Sequence, residues 1–123
     1  MKKLVEELKP VIYTVVLIWG IFIVSSILPF LKNFGIEPRT FFGLFGIFFA
    51  PFLHGSFGHI ASNTVPLLIL LSLVVLNYSK EIVTQAIVCI MVLGGGLVWL
   101  FARSSNHIGA SGVIYGLAVF LVY

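Results

Sequence analysis

The decapeptide His54 to Asn63, HGSFGHIASN, gathers two imidazoles, two hydroxyls and a carboxamide between the apolar runs FFGLFGIFFAPFL and TVPLLILLSLVVLN. His59 and Asn63 stand four apart, so on a helix they share one face and point into one pocket. His54 lies five before His59, off that face, and Gly55 and Gly58 mark a chain that is still turning, which leaves the direction of His54 open. Polar side chains at membrane depth are costly unless they face protein or a watery cavity, and they mark a functional site by default. The plainer alternative is that His59 and Asn63 only bridge helices by hydrogen bonds.

A second cluster runs from Asn106 to Gly116, NHIGASGVIYG. Gly109, Gly112 and Gly116 follow a 3-then-4 spacing, which leaves one helix face bare for close approach of a neighbour. Ser111 sits at the start of that helix between two of these glycines. Its hydroxyl is open, and its amide, one of the first four of the helix, has no intrahelical acceptor. An exposed nucleophile beside a free N–H is half of an acyl-transfer site, and the side chains of His59 and Asn63 are suitable oxyanion donors for the other half. His107, four before Ser111, is a candidate base by spacing, but Arg103–Ile108 reads as the loop before the helix and His107 as a histidine at its tip.

The acidic residues narrow the chemistry. There is no Asp, and Glu6, Glu7, Glu37 and Glu81 all lie outside the apolar runs. A Ser-His-Asp triad cannot be built from these residues, and they disfavour an aspartyl protease, a zinc protease with a Glu base and a carboxylate-dependent pump. His54 and His59 do not make the His-Glu-x-x-His pattern, so no metal site is expected, and nothing calls for a cofactor.

The elements that must position these residues are membrane helices. Of 123 residues, 60% are hydrophobic and 9% charged, and the mean hydropathy is +1.18, far from a soluble domain. The net charge of +3 comes from a few basic residues near segment ends, which excludes nucleic acid as a partner. The single Cys89 permits no internal disulfide and reads as a small buried hydrophobe. Apolar spans are predicted at about 11–30, 59–77, 82–101 and 110–123, with an interfacial or re-entrant loop over about 31–58 that holds the short Phe-rich run Phe41–Leu53. The first span is long for a signal peptide and no cleavage site follows it, so it is read as a retained anchor. The fourth span has 14 residues, against about 20 for a crossing helix, so the chain is expected to stop inside a helix of something longer. With the N-terminus cytoplasmic, four basic residues fall inside and three outside, a small bias. Whatever the orientation, the second and fourth spans run parallel, so both polar clusters start at one membrane face.

His54-x4-His59-x3-Asn63 entering one span, followed by Gly109-Ala110-Ser111-Gly112 opening another, resembles the rhomboid intramembrane serine proteases. The likeness runs from about Gly35 to Tyr123. It implies an all-α, polytopic bundle, with about four of six core helices within this single, incomplete domain. It implies Ser111 as nucleophile, with His59, Asn63 and the Ser111 backbone amide as the oxyanion hole. His54, Gly109, Gly112 and Tyr115 would support the site, Tyr115 by packing on a base histidine that belongs to a sixth helix and is not in this chain. The substrates implied are transmembrane segments of other proteins, cut near the outer face of the cell membrane; the oligomeric state is open. Two departures stand out: that histidine is absent, and Pro38-Arg39 with the Phe-rich run replaces the Trp-Arg pair often found in the family's first loop. The other readings are a catalytically inactive rhomboid-like protein that binds transmembrane helices, and a small channel or transporter subunit that uses the histidines as a polar relay. The last of these lacks the acid that a relay would need.

Overall fold

A computed structural model describes all 123 residues. Five α-helices follow one another: α1 Lys2–Ile27, α2 Phe41–Phe49, α3 Phe57–Asn77, α4 Lys80–Phe101 and α5 Ser111–Val122. Short 3₁₀ turns cover Pro29–Phe34 and Ala50–Phe52. No strand forms; one antiparallel bridge pairs Ile36 with His107. The protein is an all-α membrane bundle, in which α1, α3 and α4 are each long and apolar enough to cross a bilayer.

Helix boundaries depart from the apolar runs where local chemistry extends them. α1 begins at Lys2, well before Val11, because Lys3 pairs with Glu7 at 3.8 Å and Lys9 with Glu6 at 2.7 Å on one exposed side. Such pairs give a helix only about 0.3–0.5 kcal/mol each, enough to favour one more turn on an existing helix. α3 begins at Phe57, where the Ser56 hydroxyl accepts the His59 amide at 3.2 Å. Ser79 starts α4 in the same way, accepting from Ile82 N at 3.4 Å.

The core lies where α1, α3 and α5 meet. Val11 and Ile18 of α1, Ile60, Leu67, Leu71 and Val74 of α3, and Ile114 and Leu117 of α5 form one buried cluster. The α3 members recur at helical spacing, so a single stripe of α3 serves both neighbours. Trp19 Nε1 donates to Thr64 Oγ1 at 3.1 Å and fixes α1 on α3. α4 packs on α5 and buries none of its own residues, leaving most of its apolar surface for lipid.

The segment between α1 and α3 is more ordered than a loop. Thr40 caps α2 by accepting from Gly43 N at 3.0 Å. The helix has nine residues, about 13 Å, so it cannot span. Its buried side is glycine: a Cβ on Gly46 would collide with the Gly35 carbonyl. Its other side exposes Phe41, Phe42, Phe45, Phe48 and Phe49. Arg39, at φ 60, anchors this segment to the end of α4. Its guanidinium donates to Leu100 O at 3.1 Å, Ala102 O at 2.9 Å and Ser104 Oγ at 3.1 Å, satisfying carbonyls that a helix end leaves open. Trp99 Nε1 returns a bond to Thr40 O at 2.8 Å.

Candidate functional site

α3 and α5 are neighbours whose N-terminal ends meet, and the two polar clusters come together there. Gly109 has φ +121, and a Cβ on it would lie 2.6 Å from both Cε1 and Nε2 of His59. The imidazole of His59 therefore rests directly on the backbone of Gly109, a position closed to other residues by conformation and by space. The His59 ring makes no hydrogen bond and keeps some exposure.

His54, whose direction the sequence leaves open, is the hub. It is 1% exposed. The Ala110 amide donates to its Nε2 at 3.3 Å, and Asn63 Nδ2 lies 3.1 Å from the same nitrogen. Two donors on one ring nitrogen make it the unprotonated one, so this network assigns the proton to Nδ1. Nδ1 is buried without a partner at hydrogen-bond distance. Burial, and secondarily the neighbouring His59 at 5.0 Å between ring centroids, push the His54 pKa down to about 4 against a smaller opposing pull from the Phe52 carbonyl. His54 is thus neutral, an acceptor that orients one Asn63 N–H and leaves the other free.

Ser111 opens α5. The amide of Gly109 donates to Ala50 O at 2.8 Å and that of Ala110 to His54, while the Ser111 amide and hydroxyl bond to no group of the chain. Ser111 lines a cavity of about 250 Å³ between α2, α4 and α5, walled by Ile47, Pro51, Ile90 and Gly94. His59 and Asn63 are not among the residues that line it. His54 and Asn63 border a separate, small void of about 10 Å³ beside Thr64 and Trp19. Gly112 borders the larger cavity, and a Cβ there would meet nothing within 4 Å.

The remaining candidates are placed as follows. Tyr115 is 74% exposed on the outer face of α5. His107 borders the Ser111 cavity, but its Nε2 is 2.9 Å from Arg103 O and 3.3 Å from Ser105 Oγ, and its backbone exchanges two 2.9 Å bonds with Ile36. His54 and His107 are engaged in bonds of their own, and the His59 ring lies on Gly109. No cluster of three or more His, Cys, Asp or Glu gathers to hold a metal ion. Sequence reasoning missed Ala50 and Phe52, which act through backbone carbonyls and leave no side-chain signal. It also missed Arg39 as a helix-end clamp, for which the only hint was a basic residue after Pro38.

Comparison with known proteins adds a family. A family model described as "Rhomboid domain" matches residues 42–123. An uncharacterized protein of Mycobacterium tuberculosis (strain H37Rv) is 41% identical over 95 residues, 72% of this chain and 39% of the relative. An uncharacterized protein of Mycobacterium leprae is 39% identical over 99 residues, 75% of this chain and 39% of the relative. The chain thus spans about two fifths of the length of the curated relatives it matches. No solved structure matches.

Proposed function

Because the chain belongs to the rhomboid family, we propose that it carries the nucleophile and oxyanion site of an intramembrane serine endopeptidase that cleaves transmembrane segments of other proteins. The observation that carries this reading is the pinning of the two amides before Ser111, to Ala50 O and to His54 Nε2, which leaves the Ser111 N–H and hydroxyl unpaired at a helix N-terminus beside a cavity. In this reading the substrate segment unwinds near the outer face and presents a carbonyl to Ser111 Oγ. Charge developing on the carbonyl oxygen meets the Ser111 amide, the free Asn63 N–H and the His59 ring, and the helix N-terminus adds a favourable field. The apolar cavity of about 250 Å³ beside Ser111 accepts a substrate side chain next to the scissile bond. The proton of Oγ leaves to a histidine from outside these 123 residues, and water admitted at the polar end hydrolyses the acyl-enzyme. His54 is a positioning residue, since its ring bonds Asn63 and the Ala110 amide and is neutral.

The test is labelling of the full-length gene product in membranes with a fluorophosphonate. Wild type should label and Ser111→Ala should not; equal labelling removes Ser111 as nucleophile. A second reading, an inactive family member that binds transmembrane helices without cutting them, is favoured by one observation. All three histidines of the chain are either bonded, as His54 and His107 are, or laid on Gly109, as His59 is. Absence of any further histidine in a membrane span of the full-length gene product, together with no labelling of wild type, would establish that reading instead.

A further inference from the structure

Trp19 lies in α1, before the residues 42–123 that the family model matches, yet it grips α3 on either side of the site residues. Its Nε1 donates to Thr64 Oγ1 at 3.1 Å, one residue after Asn63. Its ring stands edge-on to that of Phe57, two residues before His59, with 5.8 Å between centroids and 70° between planes. Thr64 is itself fixed, since its hydroxyl donates to Ile60 O at 2.7 Å. Phe22, three residues further along α1, meets the indole edge-on at 6.1 Å and holds the ring in turn. Among side-chain hydrogen bonds, Trp19 to Thr64 is the one that joins α1 to α3.

Phe57 and Thr64 stand two turns apart, so both contacts fall on one face of α3. At about 100° per residue, His59 and Asn63 lie about 130° around the axis from that face. A turn of α3 by about 10° would carry a side-chain tip, about 5–6 Å from the axis, through about 1 Å, enough to spoil a contact at a reacting centre. The buried stripe Ile60, Leu67, Leu71 and Val74 sets this rotation coarsely, because apolar packing has no direction of its own. A hydrogen bond has one, and an indole N–H left unpaired in an apolar setting is costly. We propose that Trp19 is a positioning residue, which through Thr64 sets the rotation of α3 that aims His59 and Asn63 at the start of α5. Its consequence for catalysis rests on the protease reading; its consequence for the His59 ring, which lies on Gly109, does not.

Two measurements on the full-length gene product in membranes separate these consequences. One is the rate at which a fluorophosphonate labels Ser111. The other is the rate at which diethyl pyrocarbonate modifies His59, read by mass spectrometry of the peptide. Trp19→Phe keeps a ring against Phe57 and removes the donor, while Thr64→Val removes the acceptor. Each should slow labelling about fivefold, the population ratio that one interhelical hydrogen bond of about 1 kcal/mol maintains. Each should also speed modification of His59 by a similar factor, as the ring leaves Gly109. The double variant should shift neither rate further, because both substitutions break one bond, and Thr64→Ser should recover most of what Thr64→Val loses. A general loosening of the bundle would instead accumulate in the double variant and would not be repaired by a hydroxyl. Circular dichroism keeps every measurement below the thermal midpoint, and Trp19→Phe remains informative if Thr64→Val misfolds. The proposal is overturned if Trp19→Phe leaves the His59 rate unchanged, if it leaves the labelling of an active wild type unchanged, or if the effects multiply in the double variant. A wild type that does not label refutes the protease reading alone, and the His59 rates then decide whether Trp19 sets the rotation of α3.

Discussion

Of the two glycines that flank Ser111, only Gly109 should be intolerant of a methyl group. At Gly109 an added Cβ lies 2.6 Å from Cε1 and Nε2 of the His59 ring, at φ +121. The backbone conformation alone costs a non-glycine residue about 1–2 kcal/mol. The overlap adds to this, because carbon–carbon contact is comfortable only near 3.5–4.0 Å, so the His59 ring must retreat by about 1 Å. A displacement of that size at a reacting centre costs about a hundredfold in rate. In Gly112→Ala the new Cβ meets nothing within 4 Å, and in an ordinary helical conformation Ala is favoured over Gly by up to about 1 kcal/mol. The assay is fluorophosphonate labelling rate of the full-length gene product alongside thermal unfolding by circular dichroism. Gly20→Ala, also free of neighbours within 4 Å and remote from the site, is the control. The expected order is a slow-labelling, less stable Gly109→Ala beside a stable Gly112→Ala. Equal stability and labelling in the two would refute the claim that the His59 ring rests on Gly109.

Removing the Asn63 amide in Asn63→Ala should slow labelling about a hundredfold, the usual loss for one oxyanion donor; a change of threefold or less would take Asn63 out of that role. His54 should make the fold acid-sensitive. Its folded pKa of about 4 lies below the usual 6.5, so between those values the unfolded chain binds more protons. The stability it confers is complete above about pH 6.5 and falls by about 3 kcal/mol as pH drops to 4. Thermal midpoints of wild type should fall over that window, with a flatter profile in His54→Gln; parallel profiles would contradict the neutral, accepting imidazole. Arg39→Ala should destabilise by about 1 kcal/mol, since it removes charge-assisted hydrogen bonds to the exposed carbonyls of Leu100 and Ala102 at the end of α4, and Arg39→Gly should recover only the part due to φ 60. Melting curves that place Arg39→Ala within 0.5 kcal/mol of wild type would show that the clamp is idle.

How far the sequence reveals this molecule depends on which groups act. The spans are legible because a bilayer imposes length and apolarity on them, and the family pattern is legible because side chains carry it. His59, Asn63 and Ser111 could be singled out by type and spacing alone. The direction of His54 could not, since Gly55 and Gly58 free the backbone there and only the docking of Ala110 decides it. α2 escaped definition because its buried side consists of Gly43 and Gly46, residues that read as breakers, whereas their role is to let the helix lie against the backbone of Glu37 and Gly35. The extension of α1 to Lys2 was hidden for a different reason, since charged residues end an apolar run without ending a helix.

The site is built more from backbone than from the decapeptide that signals it. Three successive amides at the start of α5 meet different fates: Gly109 N–H goes to Ala50 O at 2.8 Å, Ala110 N–H goes to His54 Nε2 at 3.3 Å, and Ser111 N–H goes to nothing. Both acceptors belong to the segment between α2 and α3. They fix the rotation of that peptide, which under the proposed reading is the preorganisation an oxyanion donor needs. Asn63 enters the same arrangement through His54, so one neutral imidazole holds both the Ala110 amide and the Asn63 carboxamide. The first-loop segment, clamped to α4 by Arg39 and to the α4–α5 loop by the Ile36–His107 bridge, therefore frames the start of α5 where Ser111 stands.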